Sequence, residues 1–292
     1  MRVFLSSLLF LAAAALASCT PANRGEPAVW RITDADSEIW LYGAVHLLPP
    51  DLRWRGPAFE AAFAAADELV VETNTDEAGS AMIAALAQRL GALPEGQSLS
   101  TLLSDAQIQA LRREARRLGI DFAALDRQRP WLTALQLSYA AAVSAGHSPD
   151  YGVETYLMRE AAARGLRISY LETPEQQVRI LAGLSPEDQI RLLDVTLEDV
   201  RAGADALAAM DRAWARGDVE RLEALLGPQW QAAGPGVHDA VIIQRNRAWV
   251  DQIEARLAGS GRVFIAVGAA HLVREDSVID LLRERGIAVE GP

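Results

Sequence analysis

Two short stretches near opposite ends of the chain share one pattern: Ile39-Trp40-Leu41-Tyr42-Gly43-Ala44-Val45-His46-Leu47 and Val263-Phe264-Ile265-Ala266-Val267-Gly268-Ala269-Ala270-His271-Leu272. Each is an apolar, strand-like run ending in G-x-x-H-L. A glycine at the end of a strand lets the chain turn sharply or approach another backbone closely. The imidazole then emerges at the rim where open α/β sheets bind ligands. One histidine after a strand reads most simply as a hydrogen-bonded structural residue. Two of the chain's four histidines in the same setting point to a shared task, because neutral imidazoles from two strand ends can converge on one metal ion or one substrate group. Both are expected at strand ends, outside the core.

Glu72 closes an apolar run of its own, Leu69-Val70-Val71. A carboxylate there is costly unless it is paired, hydrogen-bonded or metal-bound; a turn contact with Thr73 and Asn74 is the simpler alternative. His46, Glu72 and His271 together make a two-histidine, one-carboxylate set that leaves positions open for water and substrate. Two further acids are of second rank. Glu154 opens a helix after Gly152, where the helix dipole accounts for it, and Glu172 ends a strand before Thr173-Pro174-Glu175, where a helix-entry contact would do. In the helix expected from Asp239 to Ala258, His238, Ile242, Arg245 and Trp249 recur at i, i+4, i+7 and i+11 and share one face, with Asn246 beside Arg245. Arg245 among apolar neighbours needs an anionic partner, or else lies along Trp249 with its head in water. His147, in Ser144-Ala145-Gly146-His147-Ser148-Pro149, reads as an exposed loop residue without a role.

The elements that must position these residues follow from periodicity and punctuation. Val29 to Ile32 and Ile39 to Tyr42 flank the turn-rich Thr33-Asp34-Ala35-Asp36-Ser37 and read as a hairpin. Helix is expected over Pro57 to Ala66, throughout Ala78 to Gly146 with a capping box at Ser104 and a stop at Gly119, and over Tyr151 to Gly165, Ser185 to Gly217 and Asp276 to Arg285. Strands are expected at Leu69 to Glu72, Leu166 to Glu172 and Arg262 to Val267, the first and last of them buried. Strands at both ends with helices between them predict an α/β or α+β fold, in which a central mixed sheet is assembled from the N- and C-terminal segments and a helical middle packs beside it.

The first residues read as an address. Arg2 precedes an apolar stretch from Val3 to Leu16 that is too short to span a bilayer and ends at Leu16-Ala17-Ser18-Cys19, the pattern of a bacterial lipobox. The expected organisation is a lipoprotein signal peptide over 1–18, a tether over 19–27 carrying lipid on Cys19, and one domain over 28–292. Cys19 is the chain's one cysteine, so no disulfide forms and any metal would need His, Asp or Glu ligands. The net charge is −11, which argues against nucleic acid as a partner.

The order of these motifs resembles the TraB/GumN/Tiki family. The residues that carry it are the strand ending in Gly43-Ala44-Val45-His46, Glu72 on the next strand, Gly152-Val153-Glu154, Leu171-Glu172-Thr173-Pro174-Glu175-Gln176, Arg245-Asn246 and Val267-Gly268-Ala269-Ala270-His271. The similarity covers about Trp30 to Val289. The family includes the Tiki proteases, divalent-metal-dependent enzymes that clip secreted signalling proteins, and its fold resembles that of erythromycin esterase, where similar His and Glu residues work without an evident metal. The resemblance implies His46, Glu72 and His271 as the functional core, with Arg245 close behind. Glu154 departs from a family pattern that has Asp. The expectation is a hydrolase, metallopeptidase-like, acting on an exported peptide or protein at the cell envelope, likened to an outer-membrane lipoprotein facing the periplasm. A manganese, cobalt or zinc ion on His46, Glu72 and His271 would activate water, and Arg245 would stabilise the oxyanion. The alternatives are a metal-free esterase-like hydrolase in which Glu72 holds a histidine base, and a peptide-binding protein without turnover.

Overall fold

A computed structural model describes residues 25–292. The expected signal peptide over 1–18, Cys19 and the tether as far as residue 24 lie outside the described residues. Five strands form one mixed sheet: β1 (Val29–Thr33), β2 (Ser37–Ala44), β3 (Glu68–Val71), β4 (Arg167–Tyr170) and β5 (Gly261–Gly268), in the order β1-β2-β5-β3-β4. The β1–β2 hairpin is antiparallel, with Ile32 opposite Ile39. Its turn is closed by the Asp34 carboxylate, which accepts from the Asp36 and Ser37 N–H groups at 3.1 and 2.7 Å. All other pairings are parallel. The last strand is central: Ile265 lies opposite Leu41 of β2 on one side and Val70 of β3 on the other. A parallel strand covered on both faces needs a continuous apolar run, and Val263 to Val267 are all buried.

The helices are α1 (Pro57–Ala65), α2 (Glu77–Gly91), α3 (Asp105–Leu118), α4 (Phe122–Leu125), α5 (Pro130–Ser144), α6 (Val153–Arg164), α7 (Pro174–Ala182), α8 (Pro186–Ala202), α9 (Ala204–Ala215), α10 (Val219–Ala233), α11 (Pro235–His238), α12 (Gln244–Leu257) and α13 (Val278–Glu284). The capping box at Ser104 and Gln107 starts α3, and Gly119 ends it at φ 71°. The sheet packs around an aromatic group of Tyr42, Trp54, Phe59, Phe63, Trp214 and Phe264, with Tyr42 and Phe59 centroids 4.9 Å apart. The helical middle has a separate core of Leu99, Leu111, Leu125, Leu137 and Leu193, so α3 to α5 and α8 form a lobe beside the sheet.

Three expectations change. The tether is fixed by its last residues: the Glu26 N–H donates to the Ala215 carbonyl at 2.7 Å and Pro27 is buried. Helix α10 fills a stretch that the periodicity left unassigned. The single helix from Asp239 to Ala258 is instead α12 preceded by a π-helical turn, Asp239–Ile243. A π turn holds one extra residue and rotates everything before it relative to everything after it.

Candidate functional site

The four parallel strands deliver their chemistry to one rim. His46 follows β2, His271 follows β5, Glu72 follows β3 and Glu172 follows β4, so strand order alone sets these four side chains in a row. This is the carboxyl end of the sheet, where α/β folds hold ligands.

Arg245, at the start of α12, ties three members of the row together. Its Nε donates to Glu172 Oε1 at 2.8 Å and its Nη2 to Glu172 Oε2 at 3.0 Å, the two-pronged geometry of an arginine–carboxylate pair. Nη2 also donates to Glu72 Oε2 at 2.6 Å, and Nη1 donates to His271 Nε2 at 3.1 Å and to the Val241 carbonyl at 3.4 Å. Trp249 lies 4.6 Å beneath the guanidinium and donates its indole N–H to Glu172 Oε1 at 3.0 Å. Glu72 Oε1 accepts the Gly268 N–H at 2.6 Å. A β-carbon at Gly268 would stand 3.1 Å from that oxygen, so the glycine of the second G-x-x-H lets the carboxylate sit against the backbone.

His271 is fixed through Asn246, which is fully buried. The Asn246 amide donates Nδ2 to the Asp276 carbonyl at 2.7 Å, which turns its Oδ1 to His271 Nδ1 at 2.6 Å. Nδ1 therefore carries the proton, and Nε2 accepts from Arg245. The loop that supplies the Asp276 carbonyl holds two non-glycine residues at positive φ, Arg274 at 82° and Asp276 at 63°, a strained path that puts the carbonyl in reach. Burial, opposed by Glu72 and reinforced by Arg245 and His46, takes the His271 pKa down to about 3, so this imidazole is neutral. Burial would push the Glu72 carboxyl up, but Arg245, His271, His46 and the Gly268 N–H outweigh it and bring the pKa to about 2.

His46 differs from the rest in being open to solvent. Its side chain is 64% exposed, while Glu154 behind it is 11% exposed and places Oε1 2.7 Å from His46 Nδ1. The ring N–H is not aimed along this contact, and neither Glu154 oxygen has an in-line donor among the described residues. Glu154, ahead of partial burial, raises the His46 pKa to about 9, which makes the exposed ring an imidazolium at neutral pH. The pairing depends on Gly152, where a β-carbon would fall 2.1 Å from the His46 carbonyl. The Val153 N–H donates to the Val45 carbonyl at 3.0 Å, so the first turn of α6 is bonded directly to the His46 loop.

The rim therefore unites His46, Glu72, Glu154, Glu172, Arg245, Asn246 and His271. Glu172 is more than a helix-entry residue, and Glu154 answers to His46 as well as to its helix. His238 makes no bond to Arg245 among the described residues: a π turn lies between them, the His238 ring is 5.7 Å from that of Trp230, and its charged neighbours are Arg274, Asp276 and Asp239. His271 is buried at 4% exposure against Trp249, so it belongs to the core as well as to the rim. His147 is neither exposed nor idle. It is 6% exposed, with Nε2 2.7 Å from the buried carboxylate of Asp211. Residues that composition did not single out also reach the site: Gln177 donates to Glu72 at 3.3 Å, while Gln176 serves the capping box of α7 with Thr173. A second glutamine beside the cap was the available sign.

This geometry bears on two of the expected roles. All five N–H bonds of Arg245 are engaged within the protein, so none is free for an oxyanion. Glu72 Oε2 and His271 Nε2, atoms that a manganese, cobalt or zinc ion shared with His46 would need, both accept from the guanidinium in this arrangement. Among the described residues, no group of three His, Cys, Asp or Glu side chains is placed to hold one.

Comparison with known proteins covers the same span as the fold. The chain is 26% identical over 266 residues to the uncharacterized protein YbaP of Escherichia coli (strain K12), which covers 90% of this chain and 96% of that one. The YbaP of Shigella flexneri is similar to the same degree, and an uncharacterized protein of Treponema pallidum (strain Nichols) is 24% identical over 306 residues, 97% of this chain and 90% of its own. No solved structure matches. The family model for TraB/PrgY/gumN runs over residues 28–291, from the hairpin strand β1 through the rim to Glu290, which pairs back onto Arg31 of that strand, and the chain belongs to this family.

Proposed function

We propose that the chain is a hydrolase of an exported peptide or protein at the cell envelope, in which His46 transfers the proton. The observation that carries this is an exposed imidazole backed at 2.7 Å by a buried carboxylate, set at the rim beside an ordered array of buried charge. Environments that push two titratable groups apart are a mark of acid–base sites. Here His46 is held protonated by Glu154, and His271 is held neutral by burial. His46 is then the general acid for the leaving group. Glu72, Glu172 and His271, locked on Arg245, fix the field around it without reorganising during the reaction. Arg245 acts as a positioning residue.

The test is turnover of a decapeptide library and of nitrophenyl esters by residues 20–292, with His46→Ala and Glu154→Gln as comparisons. Removing a positioned proton donor lowers kcat on the order of 10²-fold or more. Wild-type turnover by His46→Ala overturns the assignment, and absence of turnover in every condition leaves the peptide-binding alternative standing. Metal dependence is a second reading. It is favoured by the way each histidine sets Nδ1 against a side-chain oxygen, which leaves Nε2 to coordinate. An ion there requires Arg245 to withdraw from Glu72 and His271, so chelation that abolishes turnover, with recovery on adding manganese, cobalt or zinc, would favour it over the metal-free route.

A further inference from the structure

The chain enters the fold between arginines. Gly25 packs so closely on its neighbours that a β-carbon there would meet the Arg53 carbonyl at 1.9 Å and the Ala215 carbonyl at 2.9 Å, and the next residue is hydrogen-bonded to Ala215. Around it lies a concavity of about 380 Å³ lined by Pro49, Asp51, Leu52, Arg53, Asp211, Arg212 and Arg216, among others. The three arginines are exposed, and none makes an ion pair or side-chain hydrogen bond among the described residues. Of the two acids in the lining, Asp211 is buried and held by His147, which leaves Asp51 as the one exposed counter-charge. Three unpaired arginines collected at one spot on a chain of net charge −11 are a local reversal of sign.

We propose that this face docks on a membrane surface containing anionic lipid, with the arginines against the headgroups. The proposal rests on the lipid-anchor reading of Cys19 and deepens the proposed function by saying where the substrate is met. Cys19 precedes Gly25 by six residues, and a fully extended chain spans at most about 3.6 Å per residue, so a lipid on Cys19 holds Gly25 within about 22 Å of the bilayer. The face nearest the membrane is therefore the one around Gly25, and that is where the free arginines are. Juxtamembrane Lys and Arg gain from the negative potential of anionic lipid only within about a Debye length, about 8 Å at physiological salt, an approach that a tether reaching no further than about 22 Å permits and does not by itself impose.

The same geometry turns the rim towards the lipid. β1 runs antiparallel to β2, with Val29 opposite Tyr42, so the chain enters at the carboxyl end of β2. His46 lies just past that end, and the concavity begins three residues further on, at Pro49. A chain docked in this way holds His46 at the membrane surface and selects substrates presented there, such as the juxtamembrane segment of another anchored protein.

The lone thiol allows a direct test. Mature chain beginning at Cys19 is coupled through that thiol to a maleimide lipid, in vesicles of neutral phosphatidylcholine or with phosphatidylglycerol added to about a third. Amide exchange over 49–53 and 212–217 should slow on the order of tenfold on the anionic vesicles relative to the neutral ones, and the difference should vanish in 0.5 M salt. The triple variant Arg53→Gln, Arg212→Gln, Arg216→Gln should lose the difference while keeping its thermal midpoint, since all three side chains are exposed. Equal exchange on the two vesicles, or slowing that survives in the triple variant, overturns the docking face. Because the coupling is chemical, this result stands apart from acylation of Cys19 in cells and from turnover, each measured separately.

Discussion

Arg245→Met removes the guanidinium while keeping most of the volume, and its consequence can be worked from the rim. Glu72 and Glu172 are both about nine-tenths buried, and among the described residues Arg245 is the one cation bonded to either. Removing one partner of a buried ion pair costs about 3–5 kcal/mol, because the charge left behind is neither solvated nor matched. For a domain of this size each kcal/mol moves the thermal midpoint by about 2–4 °C, so a fall on the order of 10 °C is expected at pH 7. The pH dependence gives a sharper sign. In the native chain Glu72 falls from its ordinary 4.5 to about 2, which corresponds to about 3 kcal/mol of stability that is present above pH 4.5 and is lost as pH falls towards 2. Burial is already the largest single influence on Glu72, and with Arg245, the largest of those opposing it, removed, the pKa is expected to rise above the ordinary value. The variant should then gain stability as pH falls through that raised value, the reverse of the native chain. The assay is thermal unfolding of residues 20–292 at pH 3 to 8, native against variant. A midpoint within 2 °C of native at pH 7, or parallel pH profiles, would refute the view that Arg245 is what holds the two carboxylates ionised.

Glu154→Gln should lower the His46 pKa from about 9 towards the ordinary value of 6.5, read by NMR titration of the ring, and any activity that needs the imidazolium should then fade near neutrality instead of near pH 9. An unmoved titration would separate the two residues. Asn246→Leu should leave His271 Nδ1 and the Asp276 carbonyl without partners and destabilise the domain by about 2–4 kcal/mol in urea unfolding. His147→Leu should strand the Asp211 carboxylate, which burial already pushes up, and lower stability most at high pH, with recovery as pH falls and Asp211 protonates. Cys19→Ala should abolish incorporation of labelled fatty acid in cells; label in that variant would remove the lipobox reading.

The strands could be read from sequence because a parallel sheet covered on both faces leaves an unbroken apolar run, and Val263 to Val267 is such a run. The rim could be read because the G-x-x-H element occurs twice, and a glycine that must admit a carboxylate or another backbone has few substitutes. Other features depend on contacts that no local pattern records. Glu154 finds His46 only because Gly152 lets α6 start against the His46 carbonyl. The π turn before Arg245 leaves no mark in a 3.6-residue count, so the spacing of His238 and Arg245 does not fix their relative direction. The composition around His147 is that of a loop; its burial comes from Asp211 on α9, a partner supplied by tertiary packing. The engagement of every Arg245 donor likewise follows from four segments meeting at once.

The central place of β5 also governs when the rim can form. Until β5 arrives, β1–β2 and β3–β4 are two separate ribbons with no shared hydrogen bonds in the sheet. The strand that joins them is the last of the five in sequence; it ends at Gly268, whose N–H seats Glu72, and the turn after it supplies His271. A chain growing from its N-terminus can therefore form the helical lobe and the hairpin early, yet it has no assembled rim until β5 and the His271 turn have been added. Such late, long-range closure is slow compared with local helix formation. A product that stops before β5 therefore leaves Glu72 without its Gly268 N–H and the rim without His271.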